Sequence, residues 1–149
     1  MMTQSNPILI IEDSDEDFEI ACWAIRQTGN TRPIERASRA EEVLALFSLN
    51  EKNITPPPAL ILLDLNLPGT NGREILSQLR QSEDFCFIPI VIVTTSTNPR
   101  DIEACYRLGA SGYIGKPLQL EKFLVKIEGL INYWFSTVTL PLENIGLHQ

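Results

Sequence analysis

One histidine in 149 residues, His148, is too little for a His-based metal centre, and as the penultimate residue it is poorly placed for a catalytic triad or a buried phosphohistidine. The three cysteines, Cys22, Cys86 and Cys105, form no CxxC pair, and an odd, scattered set excludes a disulfide framework. Each sits among apolar neighbours, as a small core side chain would. Apolar runs are strand-length only, so no membrane span is expected. Basic residues are the minority, 12 against 19 acidic, for a net charge of −7, which disfavours a nucleic-acid partner because that affinity comes largely from Lys and Arg. The start Met1-Met2-Thr3-Gln4-Ser5-Asn6 lacks the features of a signal peptide, so a cytoplasmic location is expected.

What is present has the composition of one ordinary globular domain, 44% apolar and 21% charged. The apolar run Pro7–Ile11 ends at Glu12-Asp13, and Ser14-Asp15-Glu16-Asp17 then has the form of a helix start, with Phe18, Ala21, Cys22 and Ile25 at helical spacing up to the stop Thr28-Gly29-Asn30. A short strand near Pro33–Ala37 leads to Ser38-Arg39-Ala40-Glu41, a capping box, and to a second helix with Val43, Leu44 and Phe47 on its inner face. The proline-rich stretch Asn50–Pro58 is expected to be a loop. Ala59–Leu63 is apolar throughout, as a strand covered on both faces must be, and ends at Asp64. A turn-rich loop over Leu65–Gly72 precedes a third helix, Arg73–Gln81.

Pro89–Val93 forms the next buried strand and runs into Thr94, after which Asn98-Pro99 supplies a cap and a first helical residue for a fourth helix reaching Leu108-Gly109. Gly112–Gly115 is the fifth strand, followed by Lys116-Pro117 and a fifth helix from about Leu120 to Phe135. Five unbroken strand–helix pairs predict an α/β fold, a single doubly wound five-stranded parallel sheet with five helices. Such a sheet brings Glu12, Asp13, Asp64, Thr94 and Lys116 to one edge, where open α/β sheets place their chemistry. Carboxylates gathered there need a cation, and magnesium suits oxygen ligands completed by water and phosphate. Asp64 is placed to attack phosphorus, while Lys116 and Thr94 stabilise phosphoryl oxygens.

Taken singly, each residue has an ordinary explanation: strand-end acids cap helices, and a lone lysine is usually solvated. The joint pattern of acid pair, acid, hydroxyl and Lys-Pro at successive strand ends resembles the receiver domain of two-component response regulators, over about Ile8 to Phe135. The resemblance implies a flavodoxin-like strand order 2-1-3-4-5, with Asp64 as phosphoacceptor. It implies Mg2+ or Mn2+ held by Glu12, Asp13, Asp64 and the backbone carbonyl of Asn66. Thr94 would be the switch hydroxyl, Tyr113 the switch aromatic and Lys116 the phosphate-sensing lysine, with a cis peptide before Pro117. The runs Asp64-Leu65-Asn66-Leu67-Pro68, Gly72-Arg73-Glu74 and Tyr133–Pro141 are similar to the stand-alone regulators paired with cyanobacterial phytochromes, which implies a light-sensing histidine kinase as phosphate source.

The expected division is a receiver domain over 1–135 and a C-terminal extension over 136–149. An extension that short leaves interaction as the expected output. The broad apolar face of the fifth helix, with further apolar residues in the tail, predicts a homodimer through Phe123, Ile127, Trp134, Phe135 and Leu140. The competing arrangement folds the tail over its own domain. Two other functional readings stay open: a phosphorylation-independent docking module, which the intact site residues oppose, and a haloacid-dehalogenase-like phosphohydrolase. The latter needs a second Asp two residues after the nucleophile, where this chain has Asn66.

Overall fold

The computed structural model describes residues 6–51 and 56–141, without the side chains of 47–51. Strands β1 (Ile8–Ile11), β2 (Ile34–Ala37), β3 (Leu60–Leu63), β6 (Ile90–Thr94) and β7 (Gly112–Gly115) form one parallel sheet in the order β2-β1-β3-β6-β7. This is the expected order 2-1-3-4-5. The numbering is offset because the loop after Asp64 folds into a two-residue antiparallel hairpin, β4 (Asn66–Leu67) and β5 (Thr70–Asn71), which turn propensity alone did not specify.

Side chains alternate across the sheet and build two cores. Leu9, Ile11, Ile61, Leu63, Ile90 and Ile92 face helices α2 (Ala40–Glu51), α3 (Gly72–Gln81) and α4 (Pro99–Arg107). Ile8, Ile10, Leu60, Leu62, Val91 and Val93 face α1 (Asp15–Gln27) and α5 (Leu120–Asn132). Full burial of each such side chain is worth roughly 1.5–3 kcal/mol, which makes the three central strands the stable frame of the site.

The helix ends follow the sequence signals closely. Ser14 Oγ accepts from the Asp17 N–H at the start of α1, Asn71 Oδ1 accepts from Arg73 N–H at α3, and Asn98 Oδ1 accepts from Arg100 N–H at α4, with Pro99 in its first turn. At α2 the capping box shifts by one residue: the Ser38 N–H donates to the Glu42 carboxylate rather than to Glu41. Its inner face is also rotated. Val43 is buried with Leu46 packed beside it, whereas Leu44 is 52% exposed, because a helix apolar on most sides lets tertiary packing choose the face. The Phe47 side chain lies outside the described residues. Helix α2 continues through Glu51, past Asn50 where the loop was expected.

Helix α5 passes into a π-helical turn, Tyr133–Thr137, closed by the Val138 N–H donating to the Tyr133 carbonyl at 3.1 Å. The helical course therefore extends beyond Phe135, the expected end of the domain. Phe123, Ile127 and Leu140 are buried within the monomer, at 6%, 0% and 1% exposure, so they cannot form the face of a dimer. Phe123 and Ile127 fill the core under α5, and Leu140 is buried in the segment that follows the helix. Trp134 and Phe135 are half-buried against that core, and Arg32 holds its guanidinium 4.3 Å from the centre of the Phe135 ring. The large apolar side chains left exposed on α5 and the turn after it are Leu120, Val125 and Tyr133. Cys105 is buried and Cys22 partly so, but Cys86 is exposed, so the core reading holds for two cysteines and fails for the third. Among the described residues no helix is long and apolar enough to cross a membrane.

Candidate functional site

The ends of β1, β3, β6 and β7 lie side by side, and the sheet register sets which side chains meet there. Ile11 is paired with Leu63, Leu63 with Ile92, and Ile92 with Tyr113, so Glu12 and Asp64 emerge from adjacent strands at one level, and Lys116 follows β7 two residues further along, beyond β6. The Lys116 ammonium donates to Glu12 Oε1 at 2.6 Å, Asp17 Oδ2 at 3.0 Å and Asp64 Oδ2 at 3.1 Å. Its backbone N–H donates to the Thr94 carbonyl at 2.7 Å, which anchors the lysine's main chain to β6.

Glu12 and Asp64 are buried, and the environment acts strongly on Glu12. Burial, reinforced by the negative charge of Asp64, pushes its carboxyl up to about 7 against the lowering pull of Lys116. On Lys116 burial acts downward, but the Glu12 hydrogen bond and the charges of Asp64 and Glu12 outweigh it and hold the ammonium above the ordinary lysine range.

Glu12, Asp17 and Asp64 place carboxylate oxygens within 4.8 Å of one another. An all-oxygen, anionic donor set fits a hard divalent cation such as Mg2+ or Mn2+, and one ammonium among three carboxylates leaves charge for it to neutralise. Asp13, expected with Glu12, has an exposed side chain that stands outside this cluster, and its backbone carbonyl accepts from Arg36 Nη2 at 3.1 Å.

Asp17 is the residue that sequence reasoning assigned only to the helix start. With Ser14 as N-cap, Asp17 occupies the third helical position, and helix side chains lean toward the N-terminus, here back over the sheet edge. In a capping box it would bond the Ser14 N–H; that N–H instead donates to Glu12 Oε2 at 3.3 Å, which leaves Asp17 for Lys116. The cap assignment contained the position, but the redirection depends on Glu12, a contact that spacing does not encode.

Thr94 is fully buried at the end of β6, and the Asn66 side-chain amide lies 3.4 Å from its hydroxyl. The Asn66 N–H donates to Asp64 Oδ1 at 3.1 Å, so one residue bridges Asp64 and Thr94. Tyr113 is half-buried, its hydroxyl donating to the Ser96 carbonyl at 2.9 Å in the loop that follows Thr94. No cis peptide occurs among the described residues. The Lys116–Pro117 bond is therefore trans, the isomer that X–Pro bonds favour by about 0.5–1 kcal/mol, and Lys116 meets all three carboxylates with it.

The backbone after Asp64 is fixed by Gly72. A Cβ there would stand 2.6 Å from Leu65 Cα and 2.7 Å from the Asp64 carbonyl oxygen, so the start of α3 presses directly on the backbone of Asp64 and Leu65.

Comparison with known proteins agrees with this geometry. The chain is 36% identical over 145 residues to response regulator Rcp1 of Synechocystis sp., covering 95% of this chain and 99% of that protein. The Mn2+-bound structure of Rcp1 superposes with a TM-score of 0.82 at 34% identity, over 91% of this chain and 99% of that one. The phosphorylated cyanobacterial phytochrome response regulator RcpA gives a TM-score of 0.84 at 31% identity, over 92% and 99%. Residues 8–128 match the response regulator receiver domain family, and with the strand order, the acidic cluster and Lys116 in the places described, the chain belongs to that family.

Proposed function

We propose that this chain is a response regulator that accepts a phosphoryl group on Asp64 from a sensor histidine kinase of phytochrome type and signals through altered protein–protein contacts. The convergence of Asp64, Glu12 and Lys116 at the sheet edge, with Asn66 linking Asp64 to the Thr94 hydroxyl, is the observation that carries this reading. Glu12, Asp13, Asp64 and the Asn66 carbonyl would hold Mg2+ or Mn2+. When bound, the cation neutralises charge on the phosphoryl oxygens. Asp64 attacks the phosphorus through a carboxylate oxygen, Lys116 follows the transferred group with its ammonium, and Thr94 turns its hydroxyl toward it. Tyr113 then leaves its place beside Ser96, which alters the surface of α4, β7 and α5.

The phytochrome link is supported by likeness to RcpA and by a TM-score of 0.82, at 27% identity, to response regulator RPA3017 in red light signaling of R. palustris. The receiver domain spans 1–135 with its extension over 136–149, and the chain works as a cytoplasmic homodimer through what α5 leaves exposed, Val125 and Tyr133, with Trp134 at the rim. No turnover of external substrates is expected, only slow loss of its own phosphate.

Pure protein incubated with Mg2+ and acetyl phosphate should gain one phosphoryl mass that is sensitive to hydroxylamine. The gain should need the metal and vanish in Asp64→Asn. No gain, or an equal gain in the variant, would instead favour a docking module.

A further inference from the structure

The Lys116 ammonium has three protons to donate, and all three are used, on Glu12, Asp17 and Asp64. Glu12 and Asp64 are buried, and the reaction proposed above recruits both. Asp17 is different. It lies on the first turn of α1, its side chain is 40% exposed, and although its carboxylate borders the cation cluster it is not in the ligand set proposed above. Together Asp17 and Lys116 border an open cleft of about 320 Å3 walled by Ile20, Pro117, Leu118 and Leu120, so the side chain has room to follow the lysine.

To meet a phosphoryl group on Asp64, Lys116 must redirect protons now held by carboxylates. A carboxylate 3.0 Å from Nζ that lies outside the proposed ligand set, and that can move with the lysine, competes with the incoming group for the ammonium. We propose that Asp17 is a positioning residue that retains the Lys116 ammonium and slows phosphorylation of Asp64. The inference rests on the reading of Asp64 as phosphoacceptor. In the step concerned, an Asp64 oxygen forms a bond to phosphorus while the bond from phosphorus to the bridging oxygen of acetyl phosphate breaks. Acetate leaves with that electron pair, and no proton need move.

The test measures the rate of phosphoryl gain by intact mass, with Mg2+ and acetyl phosphate, for the unaltered chain, Asp17→Asn and Asp17→Glu. Asp17→Asn should react about fivefold faster, a gain of about 1 kcal/mol in transition-state stabilisation, while Asp17→Glu, which keeps a carboxylate within reach, should stay near the unaltered rate. Both should fold, because the Ser14 cap uses the backbone N–H of residue 17 and not its side chain. In ~1 M KCl, where the Debye length is about 3 Å, a diffuse repulsion of the anionic donor is screened and a direct contact is not. Persistence of the rate ratio in salt supports retention of the ammonium. A ratio that falls to one in salt, an Asp17→Asn variant no faster than the unaltered chain, or an Asp17→Glu variant as fast as Asp17→Asn would overturn it. If the unaltered chain gains no phosphoryl group, the Asp64 reading itself fails, and that outcome is distinct from the others.

Discussion

Lys116 and Glu12, 104 residues apart in the chain, form the shortest ion pair at the sheet edge, with Nζ 2.6 Å from Oε1. The pair is central to the charge balance of the site: a single ammonium serves a buried glutamate, a buried aspartate and the partly exposed Asp17.

Lys116→Met removes that balance. Breaking a buried pair costs about 3–5 kcal/mol when the remaining charge has no outlet. Glu12 has one, since it takes up a proton near neutrality, so the expected loss for metal-free protein is about 2 kcal/mol. Thermal melts should show the variant recovering more stability from added Mg2+ than the unaltered chain does. An equal response to Mg2+ would show that the ammonium does not stand in for the cation.

The carboxyl of Glu12 also sets a pH dependence. Folding raises it from 4.5 to about 7, so the folded protein holds a proton that the unfolded chain releases. Its contribution to stability is complete below pH 4.5 and is lost as pH rises through 7. Cation binding favours the ionised form, so Mg2+ should displace a proton at pH 6 and very little at pH 8. Calorimetry in buffers of different ionisation enthalpy reads the proton directly.

Gly72→Ala should harm the site without touching a charged group. The added methyl would meet backbone at 2.6 Å, and backbone has no rotamer through which to retreat. A loss of roughly 1–3 kcal/mol is expected, with slower phosphorylation because the displaced atoms belong to Asp64 and Leu65. Denaturant unfolding and the acetyl phosphate rate together check it.

Arg80 gives the opposite separation. Its guanidinium donates to the carbonyls of Gly109 at 2.8 Å, Cys86 at 3.0 Å and Ile88 at 2.7 Å, and to Ser111 Oγ at 3.1 Å, all remote from Asp64. Arg80→Ala should cost about 2–3 kcal/mol, and Arg80→Lys should recover little, because an ammonium cannot reproduce the planar fork. Phosphorylation of the folded fraction should keep its rate.

The dimer proposal predicts that Val125→Glu and Tyr133→Asp shift sedimentation toward the monomer while phosphorylation persists. Unchanged sedimentation in both variants would place any association elsewhere.

The fold was legible because the strands are short apolar blocks and three helix starts carry side-chain caps, both local signals. Ser14, Asn71 and Asn98 act through neighbours two or three residues away, as a sequence pattern can show. The meeting of Asp64 with Lys116 was legible for another reason: parallel strands in a doubly wound sheet must end at one edge. Leu44 and Leu46 were not separable, since both lie in an apolar stretch and only the sheet decides which is covered. Asp17 was hidden by its evident role as a first-turn acid. Phe85, fully buried, and Arg80 owe their places to contacts between elements, which no window of sequence contains.

The tail has a consequence for how the molecule can be cut. Leu140 is buried, Thr139 and Pro141 share a cleft with Phe87 and Ile88, and Phe135 covers Arg32. Ending the chain at Asn132, where the fifth α-helix stops, would strip the floor from the sheet at the edge opposite Asp64. The last strand–helix pair completes the topology before the hydrophobic seal is complete. Any chimera that grafts this receiver onto another protein should therefore place its junction after residue 141.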